Sequence, residues 1–145
     1  MLWPQSSVDT FATMREGTDE LTSFNATEAG DSDEFMNKTT FIFRAGLCGE
    51  SSTVSIESQL YPGKFWRHQN GIIKLHEKEE NELFKQESCF KVNQADCSNG
   101  SFALQSVNYP GWFIHKCGSQ LKIRKPSENC GDINDKCWVS PGILV

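Results

Sequence analysis

A block of about twenty residues occurs twice in this chain, and it constrains the fold more than any other feature of the sequence. The segments SQLYPGKFWRHQNGIIKLHE (58–77) and SVNYPGWFIHKCGSQLKIRK (106–125) share a serine, Tyr-Pro-Gly, an aromatic residue, basic residues, a polar turn and an alternating apolar run. Tyr61 and Tyr109 stand 48 positions apart, as do Phe65 and Phe113. A unit of this length cannot bury its apolar face alone, so we expect repeated units to pack together.

From Thr39 onward the sequence has the texture of β-structure. Short runs of aromatic and β-branched residues alternate with Pro-Gly, Asn-Gly and Gly-Ser turns, and Asn70-Gly71 is a strong hairpin signal. A recurring unit of four short strands is how a β-trefoil is built. We predict that the charged run 76–85 is a solvated loop, with a helical turn as the alternative. We predict that the core contains Phe41, Ile56, Phe65, Leu75, Phe90, Leu104, Phe113 and Ile123.

The repeat divides the chain into unequal parts. The tail of a first repeat covers 34–48, a second repeat covers 49–97 and a third covers 98–145, so that 34–145 forms one domain. Residues 1–33 contain no Tyr-Pro-Gly and are acidic, and we expect them to be disordered or irregular. The predicted fold class is therefore all-β and β-trefoil-like, with an incomplete set of repeats.

The charge distribution excludes several classes of function. Residues 1–40 hold eight acidic and two basic residues, whereas 41–145 hold eleven and twelve, so the folded part lacks the basic stripe of a nucleic-acid-binding surface. No apolar run is long enough to insert into a membrane. We find no catalytic signature and no metal-ligand spacing, and we expect neither a metal nor a cofactor.

Six cysteines and three N-x-S/T sequons, at Asn25, Asn37 and Asn99, favour an oxidising, glycosylating compartment. The predicted location is extracellular, although the N-terminus does not resemble a signal peptide. Either the chain is part of a larger secreted polypeptide, or its start is atypical, or the cysteines are free.

Six cysteines allow fifteen pairings, and sequence alone does not choose among them. Cys89 is related to Cys137 by the repeat, and Cys48 to Cys97, which suggests a Cys89–Cys97 bridge within one unit. Cys117 and Cys130 belong to the third repeat alone and are the favoured pair.

The repeated blocks resemble the arabinofuranosidase-B (AbfB) domain, carbohydrate-binding module family 42. VSIESQLYPGKFWRH and FALQSVNYPGWFIHK match the first block of the family's repeat, IIKLHE and QLKIRK its hairpin exit, and TTFIFRAGL, ESCFKVNQA and KCWVSPGIL its last block. The phrase FRAGLCGESSTVSIES is similar to the Cys-rich versions found in otogelin-like secreted glycoproteins.

The resemblance implies a β-trefoil that binds arabinofuranose side chains in shallow pockets and has no catalytic role. Transferred by position, the pocket residues fall into one set per repeat: His68, Glu87 and Tyr61 in the second, and Lys116, Asp135 and Tyr109 in the third. Lys116 replaces the histidine that the family has at this position, while Glu87 keeps an acid.

Three functions follow from these observations. The first is a non-catalytic carbohydrate-binding module whose partner is a glycan or glycoprotein. The second is a structural or protein-interaction module of a secreted, mucin-like glycoprotein. The third is an accessory domain associated with α-L-arabinofuranosidase activity and L-arabinose metabolism.

Overall fold

The computed structural model describes residues 2–4, 10–15, 17–25, 37–94, 96–98 and 100–139. The described residues contain twelve β-strands: β1 (Trp3–Pro4), β2 (Thr10–Met14), β3 (Leu21–Asn25), β4 (Phe41–Ala45), β5 (Thr53–Ser58), β6 (Lys64–Gln69), β7 (Ile72–Glu77), β8 (Phe90–Asn93), β9 (Ser101–Ser106), β10 (Phe113–Cys117), β11 (Gln120–Arg124) and β12 (Cys137–Val139). Helix α1 covers Glu82–Glu87, residues 37–39 are helical, and short 3-10 helices cover Pro126–Glu128 and Ile133–Lys136.

The strands form three units of four, which we call the first (β1–β4), second (β5–β8) and third (β9–β12) units. In each unit the middle two strands make an antiparallel hairpin: β2–β3, β6–β7 and β10–β11. The outer strands pair with one another in the order β4, β5, β8, β9, β12, β1. Outer strands in a barrel with three capping hairpins make a β-trefoil, so the predicted all-β, trefoil-like fold is confirmed.

The expectation of an incomplete trefoil is corrected. Strands β1, β2 and β3 lie before residue 26, so the described residues of the acidic segment 1–33 supply strands of the first unit rather than an irregular tail. Register shows the equivalence of the units: Phe41 pairs with Ser58, Phe90 with Ser106, and Trp138 with Pro4. The first unit escaped detection because proline replaces the corner serine there.

The core repeats with the units. Four sets of equivalent positions are filled by apolar side chains that are at most 7% exposed: Leu2, Ile56 and Leu104; Phe41, Phe90 and Trp138; Ala12, Trp66 and Ile114; and Leu21, Ile73 and Leu121. All eight predicted core residues are buried. Each large member contributes roughly 1.5–3 kcal/mol on full burial, and these layers fix the angles at which neighbouring units meet.

The hairpins contact one another in sequence around the cap. The Leu75 N–H donates to the Asp19 carbonyl at 2.7 Å, and the equivalent Ile123 N–H donates to the Gly71 carbonyl at 2.9 Å. The first and second hairpin turns therefore lie against the third strand of the next unit. This contact brings side chains of neighbouring units together.

Three disulfides link the described residues, and two of them repeat the same geometry. Cys48 pairs with Cys89, and Cys97 with Cys137, so each bridge joins the loop after one unit to the last strand of the next unit. The expected Cys89–Cys97 bridge is corrected. Those residues flank β8, whose four residues span about 13 Å, beyond the 4.4–6.8 Å between the Cα atoms of a disulfide. Cys117 pairs with Cys130, as the sequence favoured.

The run 76–85, predicted to be a solvated loop, contains the start of α1. The Oδ1 atom of Asn81 accepts a hydrogen bond from the Phe84 N–H at 2.7 Å and caps the helix. Phe84 is fully buried. One apolar side chain in a charged run therefore anchors the helix to the barrel.

Candidate carbohydrate-binding site

The two Tyr-Pro-Gly blocks form the same backbone corner. Ser58 Oγ accepts from the Tyr61 N–H at 3.0 Å, and Ser106 Oγ accepts from the Tyr109 N–H at 3.2 Å. The glycine that ends each corner has φ near +90°, which favours glycine over other residues. Both tyrosines are about half exposed. The repeat predicted from sequence is thus a repeat in structure.

The third-unit corner meets a strand of the second unit. His68, on β6, is only 2% exposed, and its Nε2 atom lies 2.7 Å from Asn108 Oδ1 and 3.2 Å from Ser106 Oγ. The ring of Tyr109 lies edge-on to the imidazole, with 5.3 Å between ring centroids. We call this meeting of His68 with residues 106–109 the second–third seam. The structure thus brings His68 to Tyr109, the tyrosine at the corner of the following unit.

Hydrogen bonding fixes the amide of Asn108. Its Oδ1 atom accepts from His68 Nε2–H and from the Ser106 hydroxyl, the latter at 3.0 Å. Within the part of the chain that the structure describes, the Nδ2 group of Asn108 has no hydrogen-bond partner. This side chain is only partly buried, so its amide N–H donors are available at the seam beside the half-exposed Tyr109 ring.

Burial keeps His68 neutral at physiological pH. Loss of hydration lowers the pKa of His68, while the hydrogen bond to Asn108 and the nearby negative charge of Glu87 act in the opposite direction without prevailing. A neutral imidazole that donates through Nε2 orients the Asn108 amide. The ring is almost fully buried, and its contacts are with Ser106, Asn108 and Tyr109.

Glu87, at the end of α1, forms its ion pair with Arg67 and not with His68. The Arg67 side chain is 7% exposed, also contacts Glu79 Oε2 at 3.1 Å, and stacks over the Phe84 ring with 5.0 Å from its Cζ atom to the centroid. Adjacent residues of a strand point to opposite sides, so residue 67 rather than residue 68 points to the acid. The predicted His68–carboxylate pair is therefore corrected.

The equivalent positions of the third unit are arranged differently. His115 replaces Arg67, is fully buried, and its Nδ1–H donates to the Phe113 carbonyl at 2.8 Å. Burial lowers the pKa of His115 in spite of the nearby Asp135 charge. Asp135 is buried, and its Oδ2 atom accepts from the Asp132 N–H at 3.3 Å at the start of a 3-10 helix. Asp135 thus has a local structural role.

The other seams lack the His68 arrangement. Register makes Lys116 and Met14 the counterparts of His68, since they pair with Leu121 and Leu21 as His68 pairs with Ile73. Lys116 is partly buried. At the second-unit corner Tyr61 is accompanied by Lys64, whose Nζ atom lies 5.2 Å from the ring centroid, and leucine replaces Asn108. The predicted six-residue set therefore does not form two like pockets.

Sequence reasoning missed Asn108 and Arg67. A signal for Asn108 was present, because only the third-unit corner reads Asn-Tyr-Pro-Gly where the second reads Leu-Tyr-Pro-Gly. Of the sequons, Asn25 ends β3, Asn37 accepts a hydrogen bond from Gln59 Nε2 at 3.3 Å, and Asn99 lies outside the described residues.

Among the described residues there is no cluster of three or more side chains that could hold a metal ion. No helix in the described ranges is long and apolar enough to cross a membrane.

The fold places the chain among β-trefoil domains of the kind found in glycan-binding proteins and toxins. The sequence model of the Alpha-L-arabinofuranosidase B (ABFB) domain matches residues 6–140, and the chain belongs to that family. In arabinofuranosidases this domain is the accessory carbohydrate-binding one and not the catalytic one. The match begins well before residue 34, in agreement with the strands of the first unit.

Solved structures support the fold at low sequence identity. A GH54 α-L-arabinofuranosidase soaked with a cyclic sulfate inhibitor is 18% identical with a TM-score of 0.79, and an arabinofuranosidase complexed with arabinofuranosyl-α-1,2-xylobiose is 17% identical with a TM-score of 0.80. In both, the match covers 95% of this chain and 29% of the other. SeviL bound to asialo-GM1 saccharide is 12% identical with a TM-score of 0.65, covering 95% of this chain and 91% of SeviL. No curated protein sequence matches the chain.

Proposed function

We propose that this chain is a non-catalytic carbohydrate-binding domain whose sugar site lies at the second–third seam. The observation that supports this most directly is the fixing of Asn108 by His68, with the amide donors of Asn108 left beside the half-exposed ring of Tyr109. A neutral sugar is bound by oriented hydrogen-bonding groups and by an aromatic surface against its C–H face. The seam supplies both.

Membership of the AbfB family supports an arabinofuranose side chain as the ligand. An arabinofuranosidase with the same fold was solved with arabinofuranosyl-α-1,2-xylobiose, and SeviL with a different saccharide, asialo-GM1. In the proposed complex Asn108 donates to ring or hydroxyl oxygens and Tyr109 packs on the sugar. His68 positions the amide of Asn108. Glu87 holds Arg67, which points to the other side of the same strand.

The proposal includes no catalysis by this chain. Retaining and inverting glycosidases need two carboxyl groups roughly 5–9.5 Å apart across the scissile bond. Glu87 is engaged by Arg67, and Asp135 by the Asp132 N–H in another unit. The arabinofuranosidases are more than three times as long as the part that matches, so hydrolysis is assigned to their remaining sequence.

The three disulfides support an extracellular location, where such bridges persist. They also favour a second candidate function, a protein-interaction module of a secreted glycoprotein. Two of the bridges tie neighbouring units together, while two of the three His68-equivalent positions carry Met14 or Lys116. In that case the chain would fold stably and bind no glycan.

Calorimetric titration with an arabinofuranosyl xylo-oligosaccharide tests the proposal, with the unsubstituted xylo-oligosaccharide as the comparison ligand. We expect Asn108→Ala and Tyr109→Ala to weaken binding about tenfold or more, since each removes a hydrogen bond or a stacking surface of 1–2 kcal/mol. Tyr61→Ala is the matched control, because Tyr61 has the same corner without His68 or Asn108.

Unchanged affinity in Asn108→Ala and Tyr109→Ala would remove the seam as the site. A folded wild-type chain that binds nothing on a broad glycan array would favour the protein-interaction function. Release of nitrophenol from a nitrophenyl arabinofuranoside by the chain itself would contradict the absence of catalysis.

A further inference from the structure

A cleft of about 250 Å³ adjoins the second–third seam. The turn 70–72 of the second unit forms one wall, and Trp112, Lys122 and Arg124 of the third unit form the other, with Glu128 beside them. Trp112 connects the cleft to the proposed sugar site, since its ring lies edge-on to Tyr109 with 6.3 Å between centroids. A bound oligosaccharide can therefore extend from Tyr109 into the cleft.

The cleft carries two cations without counter-ions. Lys122 and Arg124 are both partly buried, and among the described residues neither has an ion pair. Lys125 adds a third positive charge, with its Nζ atom 5.5 Å from the Trp112 ring centroid. Glu128 is exposed, and it forms no ion pair within the described residues.

The equivalent place between the first and second units has acidic residues that the cleft lacks. There Lys74 and His76 stand where Lys122 and Arg124 stand, and the first unit supplies acids opposite them. His76 Nε2 lies 2.5 Å from Asp19 Oδ2. Glu20 lies opposite Lys74 in the backbone register, and its side chain pairs with Arg15.

At the cleft the same register places Ile72 opposite Lys122, and Gly71 takes the place of Asp19. Basic residue types thus stand at both places, but at the cleft apolar and turn residues replace the acids of the first unit. Two partly buried cations on a concave, aromatic-lined surface are suited to an anionic group of a ligand.

We propose that the cleft binds an acidic sugar residue, through its carboxylate or sulfate group, next to the neutral sugar held at Tyr109. Arg124 would hold the anion through its planar guanidinium, Lys122 would add a second charge, and Trp112 would form the wall against the ring. This inference rests on the proposed function and names its ligand class as an acidic rather than a neutral glycan.

Titration with three oligosaccharides tests the inference: a neutral arabinofuranosyl xylo-oligosaccharide, the same backbone with a glucuronate branch, and a sulfated form. We expect an acidic form to bind at least about tenfold more tightly than the neutral one at low salt, and the advantage to shrink as salt is raised. The tighter of the two acidic ligands identifies the anionic group.

The double variant Lys122→Gln/Arg124→Gln should lose the acidic preference and keep the affinity for the neutral ligand. Its matched control is Lys78→Gln/Lys91→Gln, which removes two exposed charges elsewhere on the surface and should keep the preference. Glu128→Gln should increase the affinity for the acidic ligands.

Equal binding of neutral and acidic ligands would overturn the inference and leave the proposed function standing. So would a preference that survives in Lys122→Gln/Arg124→Gln, or one that the control variant loses to the same extent. Failure of all three ligands to bind would overturn the proposed function and the inference together.

Discussion

The substitution Glu87→Gln tests how much the buried ion pair between Glu87 and Arg67 contributes to the stability of the protein. The Arg67 side chain is 7% exposed and the Glu87 side chain 12% exposed, so their ion pair is largely removed from water. Arg67 retains Glu79 at 3.1 Å, and the Phe84 ring lies 5.0 Å from its Cζ atom. The substitution therefore leaves a buried guanidinium with one half-exposed counter-ion.

The expected cost follows from this burial. Removal of one partner of a buried pair costs about 3–5 kcal/mol, because the other charge remains without compensation. Glutamine keeps one acceptor for Arg67, and the half-exposed Glu79 contributes less than about 1 kcal/mol. We expect Glu87→Gln to lower the free energy of unfolding by about 2–3 kcal/mol. The double variant Arg67→Met/Glu87→Met removes both charges and fills the space with apolar side chains, so it should cost about 1 kcal/mol or less.

Urea unfolding of the disulfide-intact protein, followed by tryptophan fluorescence, measures both free energies. Glu79→Gln is the control, because its side chain is 51% exposed and its loss should change stability by less than about 1 kcal/mol. If Glu87→Gln were as stable as wild type, or if Arg67→Met/Glu87→Met were the more damaging of the two, the account of a buried pair would be wrong.

Three further predictions concern stability. Burial lowers the pKa of His68 and of His115, so the unfolded state binds more protons than the folded state near and below the ordinary pKa of 6.5. The free energy of unfolding should therefore be highest above that pH and fall as the pH decreases, by at most about 1.4 kcal/mol per pH unit for each imidazole. His115→Gln should make this pH dependence weaker in urea unfolding measured from pH 7.5 to 5.5. Cys117→Ser/Cys130→Ser opens a 13-residue loop and should lower stability by about 3 kcal/mol in the chain-entropy account, a value that an unchanged midpoint in thermal unfolding would contradict. Gly111→Ala places a side chain at φ +88° and should cost about 1 kcal/mol, whereas the exposed Ser119→Ala should be neutral in the same melts.

The repeat in the sequence was sufficient to predict the second and third units. Tyr-Pro-Gly encodes a corner through the fixed φ of proline and the positive φ of glycine, and Asn70-Gly71 encodes a tight hairpin. Both signals are local, so they can be interpreted without the rest of the fold. The alternating apolar residues predicted the core because the side-chain period of a strand is two.

The first unit was missed because its signals are not local. Ala12 occupies the place of Trp66 and Ile114, and Pro4 the place of the corner serines, so neither residue resembles its equivalents. Their role follows only from packing against the other two units. Phe84 was missed for a similar reason, since its burial depends on Arg67 and not on a pattern within its own segment.

The composition of the site could not be predicted because a repeat period identifies equivalent positions and not neighbouring ones. His68 and Tyr109 are 41 residues apart and belong to different units, yet their rings are in contact. The rotation that relates one unit to the next places each hairpin beside the following corner. The contact between His68 and Asn108 follows from this packing and not from the repeat period.

One buried position on the first strand of each hairpin shows how the contacts between units diverge. Arg67 meets Glu87 there, His115 lies near Asp135, and the Thr13 hydroxyl donates to the Lys38 carbonyl at 3.4 Å. The side chains at this position differ in charge among the three units, although the backbone register around them is the same. Since the apolar layers, the strand pairs and two disulfides hold the units together, polar residues at each seam can change without a change of fold. The proposed sugar site and the proposed anion-binding cleft can therefore differ from one pair of units to the next while the core stays constant.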